Sequence, residues 1–275
     1  MGPVAWLETL PTAFAGIVVV GGFVVTTLVM GLIVARFTSG EIRSAHNDRA
    51  GFILAVIGVV YAVLLGFVAI GVWERFDAAE TRSYDEAAEL ATVYRDADSF
   101  PGGAALRATL AAYATSVADD EWPTMRRGIR IDAPSPLLER ADHQVRALPV
   151  TSARLAGIQA EILSAMNTAV MDRQTRLTIG FMGINGIMWL VLVAGAYVTV
   201  AFTYLFGFER TVMQQLMIGG LSLIIGLVLF LTLALDYPFR GSIAVGPEAF
   251  RALLTDWSSN AAAEPADLQT PVSSK

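Results

Sequence analysis

The stretch GFILAVIGVVYAVLLGFVAIGVW, residues 51–73, contains no charged residue. At 1.5 Å per residue, the roughly 20 apolar residues needed to cross a bilayer core are all present. Backbone N–H and C=O groups in lipid must be satisfied within the segment, so this stretch predicts a membrane-spanning α-helix. Residues 14–35, 179–205 and 216–235 meet the same criterion. The first of these is too long for a signal-peptide core, has no basic region before it, and runs into Arg36 without a small-residue cleavage site.

The whole-chain composition agrees. Of 275 residues, 55% are hydrophobic and 16% charged, against about 25% charged in ordinary soluble domains. The missing charge is concentrated in the four stretches, which excludes a wholly soluble enzyme and a disordered chain. A net charge of −6 leaves no basic stripe for a phosphate backbone, so nucleic acid is excluded as a partner. There is no cysteine, hence no disulfide, thiolate chemistry or Cys-based metal site. Lys275 is the one lysine, and the prevalence of Arg reads as a compositional bias. The expected fold class is all-α: four transmembrane helices with an extramembrane helical bundle between spans two and three.

This reading divides the chain into residues 1–73 (spans one and two), 74–176 (helical domain), 177–240 (spans three and four) and 241–275 (a tail, disordered by composition from about 258). No Gly or Pro follows Trp73 until Pro101, so span two should continue as one helix beyond the bilayer. Phe76, Ser83, Ala87, Leu90 and Tyr94 then share one face of it. A second helix is expected to end before Trp122-Pro123, and a third to start after Ser135 as N-cap. The last opens near Thr151, carries the stripe Leu155, Ile158, Ile162, Met166 and Val170, and runs through Arg176 straight into span three. Arg36, Arg43 and Arg49 lie in one short loop and Arg210 in the other. The positive-inside rule therefore puts these loops in the cytoplasm, with the domain and both termini outside the inner membrane.

Catalytic constellations are missing. His46 and His143 are far apart, no zincin, nucleophile-elbow, phosphate-loop or dinucleotide pattern occurs, and no span carries an acid in its interior. The chain is read as no enzyme, with no cofactor and no metal. What remains is the small-residue face of span two. Gly51, Ala55, Gly58, Ala62, Gly66, Ala69 and Trp73 recur at steps of three and four, with Val63 and Val68 off that face. Such a face serves close helix packing in lipid or, in a symmetric oligomer, a pore wall. Tyr61, mid-span, joins the pore candidates; its hydroxyl needs a partner or water, and a core tyrosine bonded to a neighbouring helix is the commoner outcome. The same register continues to Asp77 and Glu80, which would form acidic rings at a vestibule and attract cations. A solvated helix face would instead make local pairs, such as Asp77 or Glu86 with Arg82.

Other polar positions read as structural. Within His46-Asn47-Asp48, Asn47 or Asp48 can cap span two. Asn185, in the middle of span three, reads as an interhelical hydrogen bond. Asp236 opens Asp-Tyr-Pro-Phe, where Pro238 ends the helix; its carboxylate opposes the helix dipole and calls for a cation, with Arg240 and Arg75 nearest.

The segments HNDRAGFILAVIGVVYAVLLGFVAIGVWERFDAAE, EAAELATVYR, EWPTM and LDYPFRGSIAV resemble a bacterial family of bestrophin-like membrane proteins over about residues 45–250. The resemblance implies a four-span helical membrane protein with kinship to bestrophins, which are pentameric chloride channels lined by their second span. This span offers Gly and Ala where bestrophins carry an aromatic neck, so anion selectivity is not carried over. The functional expectation is a homo-oligomeric, channel-like protein whose partners are the bilayer, its own copies and inorganic ions, with cations preferred. The alternative is a non-conducting sensor or scaffold.

Overall fold

The computed structural model describes residues 12–37, 47–131, 135–205, 211–241 and 243–263. The described chain is helical: α1 (Thr12–Gly16) continues through a π-turn (Ile17–Gly21) into α2 (Gly22–Phe37). There follow α3 (Asn47–Ala97), α4 (Gly103–Ser116), a second π-turn (Val117–Glu121) and α5 (Trp122–Arg126). Then come α6 (Pro136–Arg146), α7 (Ala153–Phe181), α8 (Gly186–Thr203), α9 (Thr211–Leu235) and α10 (Glu248–Ala263). Among the described residues, four helical stretches are long and apolar enough to cross a membrane: Ala13–Phe37, α3 from Gly51, Gly186–Thr203 and Val212–Leu235. The expected four-span, all-α class is therefore met. His46, Arg43, Arg210 and the side chains of Asn47, Asp48 and Arg49 lie outside the described residues.

Two compact units divide the chain: residues 1–77 with 182–244, and residues 78–181 with 245–275. In the first, α2 packs chiefly on α9, with α8 beside them. Phe23, Leu65, Leu192, Val200, Ile218, Ile225 and Leu229 form the core. Lipid tails are as apolar as these side chains, so polar contacts add specificity. Thr27 Oγ1 donates to Ser222 Oγ at 2.8 Å, and Tyr204 donates its hydroxyl to the Thr27 carbonyl at 2.9 Å. The Tyr197 ring meets Phe23 edge-on at 5.0 Å, the arrangement aromatic quadrupoles favour.

The second unit packs α4 against α6 and α10, and α6 against α7. The turn at Pro101-Gly102-Gly103 requires glycine twice. Gly102 has a left-handed φ of 88°, and a Cβ on Gly103 would collide with the Ala97 carbonyl. Leu106, Leu110, Val145, Ile162 and Met166 are buried, as the apolar spacing of their helices predicts.

Three local expectations are corrected. Helix does not stop at Trp122-Pro123: the π-turn lets the Trp122 N–H bond to the Val117 carbonyl, and Pro123 falls in the first turn of α5, which needs no donor. The last domain helix does not run into span three. It ends at Phe181, and Asn185 is extended (φ −60°, ψ 141°), its side chain accepting from the Ile187 N–H at 3.1 Å. Asn185 is thus the N-cap of α8 rather than a mid-span polar residue, because flanking Gly183 and Gly186 weaken the helix where Asn supplies a ready acceptor. Finally, α10 continues to Ala263 instead of ending near Trp257. Its closing Ala261-Ala262-Ala263 favours helix.

Candidate pore-lining face and a buried charge network

At about 100° per residue, the span in α3 presents three faces. Tyr61, Leu65 and Val72 are buried and form the face that packs on its own chain. The Tyr61 hydroxyl donates to the Leu192 carbonyl at 3.0 Å, and its ring lies so close to α8 that a Cβ on Gly195 would approach it to 2.7 Å. Tyr61 therefore belongs to intrachain packing, about 100° around the helix from the Gly and Ala positions. Its hydroxyl finds its acceptor in a carbonyl of the neighbouring helix, the packing alternative to a pore-facing position. Val68 also packs against this core, whereas Val63 is exposed.

The second face holds Gly51, Ala55, Gly58, Ala62, Gly66 and Ala69, ending at Trp73. A Cβ built on Gly58 or Gly66 meets nothing within 4 Å, so close packing within the chain does not account for these glycines. Trp73 is 62% exposed. The third face is bulky and exposed, with Val56, Val63, Phe67 and Ile70. Further along, Asp77 and Glu80 are exposed, and neither makes an ion pair with another described residue. The local pairing expected between Arg82 and Asp77 or Glu86 does not form: Arg82 binds Asp172 at 3.0 Å and Asp85 at 3.4 Å.

Asp236 is 3% exposed just past the end of α9. It accepts from the Ile184 N–H at 2.7 Å, from Trp189 Nε1 at 3.3 Å and from Arg75 at 3.4 Å. Burial pushes its carboxyl above the ordinary range, against the pull of these three donors. Arg75 is thus its cation. It also donates to the Met182 carbonyl at 2.7 Å, and so ties α3 to the segment that opens α8. Arg240 instead stacks its guanidinium 4.3 Å over the Tyr237 ring, with Pro238 buried between them in sequence.

Sequence reasoning missed a cluster of charge inside the second unit. Glu86 and Arg176 are both fully buried and meet at 2.8 Å. Arg176 also reaches Glu121 at 3.1 Å, Arg173 donates to the same Glu121, and Tyr113 donates to Glu86. The Arg176 guanidinium lies between the rings of Trp122 (4.7 Å) and Phe250 (5.7 Å), a cation–π arrangement. Burial opposes the charge of Arg176, but Glu86, Tyr113 and Glu121 more than compensate and hold its pKa above the ordinary range. Tyr113 is pushed up by burial and by Glu86. Glu86 is some 20 Å along the helix beyond Trp73. Burial pushes its carboxyl up, and Arg176 is the strongest group pulling it down. One signal was available: Glu86 falls in register with buried Ser83, Leu90 and Val93, so an acid on that face required a partner.

An all-helical chain with four candidate spans, two charge-locked helix junctions and an uncovered small-residue face defines a multi-pass membrane protein. The family model for the bestrophin-like domain matches residues 21–250, and the chain belongs to that family. Among solved structures it is similar to a point variant of a bacterial bestrophin homologue from Klebsiella pneumoniae. That match has 15% identity and a TM-score of 0.58, and covers 86% of this chain and 98% of the other. It is similar also to the crystal structure of a membrane protein with a proline-to-alanine change. Here identity is 14% and the TM-score 0.61, over 85% of this chain and 97% of the other. At these identities the likeness is one of fold. No curated protein matches the sequence.

Proposed function

We propose that this protein is a homo-oligomeric ion channel or channel-like membrane protein, with the small-residue face of α3 turned toward the axis. The carrying observation is that Gly58 and Gly66 face open space within the chain while the neighbouring Tyr61–Leu65–Val72 face is filled by it. A face of small residues left uncovered on a spanning helix suits close approach of symmetry copies, or a pore wall. Membership of the bestrophin-like family, with the kinship its name expresses to channels lined by their second span, supports the same reading.

Cations are the preferred ions. The face carries no basic residue, and Asp77 and Glu80 continue its register as exposed carboxylates. Repeated around an axis, they form rings whose field concentrates cations most strongly at low salt. The segment between spans two and three, with both termini, lies outside the inner membrane.

Particle images of purified protein should show ring symmetry with a central axis. Reversal potentials in a salt gradient across a planar bilayer should shift toward the cation potential, and the shift should shrink when Asp77 and Glu80 are both replaced by Gln. A shift toward the chloride potential, unchanged in that double variant, reverses the selectivity. Absence of current from well-assembled rings replaces the channel with a scaffold.

A further inference from the structure

Nothing covalent forces the break between α7 and α8. No proline occurs from Ala153 to Thr203, and near the break only Gly183 and Gly186 weaken a helix. Residues 182–185 leave the helix because side chains from elsewhere take their backbone groups. In a continuous helix the Ile184 N–H would donate to the Gly180 carbonyl, and the Met182 carbonyl would accept from the Gly186 N–H. Instead the Ile184 N–H donates to Asp236 at 2.7 Å, and the Met182 carbonyl accepts from Arg75 at 2.7 Å. Arg75 and Asp236 pair at 3.4 Å, so one ion pair holds both groups away from the helical ladder. Gly183 lies so near Tyr237 that a Cβ there would collide with the hydroxyl end of the ring. The same backbone groups therefore have two alternative sets of partners, which is what a bistable element requires.

We propose that residues 182–185 are a proton-dependent conformational switch: with Asp236 ionised the break is latched, and with Asp236 neutral α7 and α8 join as one helix. Ionised, Asp236 holds donors from Ile184, Trp189 and Arg75, and bonds to a charged acceptor are about twice as strong as neutral ones. Neutralised, it loses that advantage. Arg75, whose side chain is 31% exposed, then returns to water, and the helical ladder recovers Ile184 and Met182. Among the described residues, Arg75 is the charged group acting on Asp236 from the elements packed around it. α8 brings the neutral Trp189, α9 carries no acidic or basic residue, Glu74 and Asp77 on α3 are exposed, and Arg240 stacks over Tyr237. Burial already raises the Asp236 carboxyl above its ordinary range. In the joined helix the same burial acts against fewer donors, so that state binds the proton more tightly and acid favours it. Joining shortens the segment by up to about 7 Å. The switch is independent of conduction along the α3 face.

The chain has no cysteine, so Met182→Cys and Val193→Cys, both at exposed positions, give a unique pair for spin labels. In a joined helix these positions lie about 17 Å apart on one face. The test uses the full-length protein in nanodiscs, with labelled chains in an excess of unlabelled ones so that pairs within a chain are read. Acidification from about pH 8 to about pH 5, through the range of a raised carboxyl, should shorten the separation by several ångströms toward that value. Asp236→Asn should show the short separation already at the upper pH. Ile184→Pro has no N–H to give to the ladder and cannot enter a continuous helix, so it should keep the long separation throughout. If Asp236→Asn does not assemble, the native chain and Ile184→Pro decide between them. A native separation that does not move with pH overturns the proposal. Equal shortening in Ile184→Pro also overturns it, because the change then lies elsewhere.

Discussion

Replacing Arg176 with Met tests the buried charge network directly. Methionine keeps most of the side-chain volume between Trp122 and Phe250 but removes the charge that Glu86 meets at 2.8 Å. Glu121 retains Arg173, whereas fully buried Glu86 keeps only the Tyr113 hydroxyl. Removing one partner of a buried pair costs about 3–5 kcal/mol, because the other charge is left without compensation. At about 2–4 °C per kcal/mol, the midpoint of thermal unfolding should fall by roughly 6–20 °C at neutral pH. Tryptophan fluorescence in detergent follows this, since Trp122 is buried beside the altered site. The pH dependence has a definite sign. With Arg176 gone, burial raises the Glu86 carboxyl without its main opponent, so the folded state binds the proton more tightly than the unfolded state. Stability then is greatest below the ordinary Glu range, about 4.3, and is lost as pH rises through the raised folded value. Acidification should therefore restore part of the midpoint in the variant, and adding Glu86→Gln should restore it at neutral pH. A midpoint within about 2 °C of the native protein, less than the shift of a single kcal/mol, with no gain on acidification, would refute the reasoning.

Leu at Gly58 or Gly66 should impair assembly or current, while Leu at exposed Val63 should leave both intact in size-exclusion and bilayer recordings; Val68 is unsuitable as a control because it packs on the core. Tyr61→Phe removes the bond to the Leu192 carbonyl and should cost about 1 kcal/mol, read as a small drop in thermal midpoint with unchanged ion selectivity. A reporter fused after Lys275 that works only in the cytoplasm should be silent, and strong activity would invert the topology.

The spans were legible because about 20 uninterrupted apolar residues have few alternative readings. Their ends were less so. Averaging hydropathy over residues 179–205 hides a four-residue interruption, and Asn185 was placed in the middle of a helix that it begins. On α3, periodicity separated a small face from the rest, but assigning Tyr61 required knowing that α8 lies against it with a glycine at the contact. The Glu86–Arg176 pair links positions ninety residues apart in sequence. No local pattern announces such a pair, only the anomaly of an acid in a buried register. Asp236 was more accessible to reasoning, since a carboxylate at a helix C-terminus opposes the dipole and demands a cation, and Arg75 supplies it.

The second unit is completed by the end of the chain. Phe250 is fully buried against Trp122, whose Nε1 donates to the Val245 carbonyl at 3.0 Å, and Trp257 stacks on Tyr94 with ring centroids 4.2 Å apart. During synthesis, the helices through Phe181 emerge before α10 exists. At 5–20 residues per second, the remaining stretch of about 75 residues leaves the Trp122 face without its cover for roughly 4–15 s. In that interval two spans must still enter the bilayer, and Arg176 lacks one of its two aromatic neighbours. Premature termination after Leu235 but before Phe250 therefore yields a product that carries every candidate span and an unfinished core, a natural substrate for membrane-bound proteolysis.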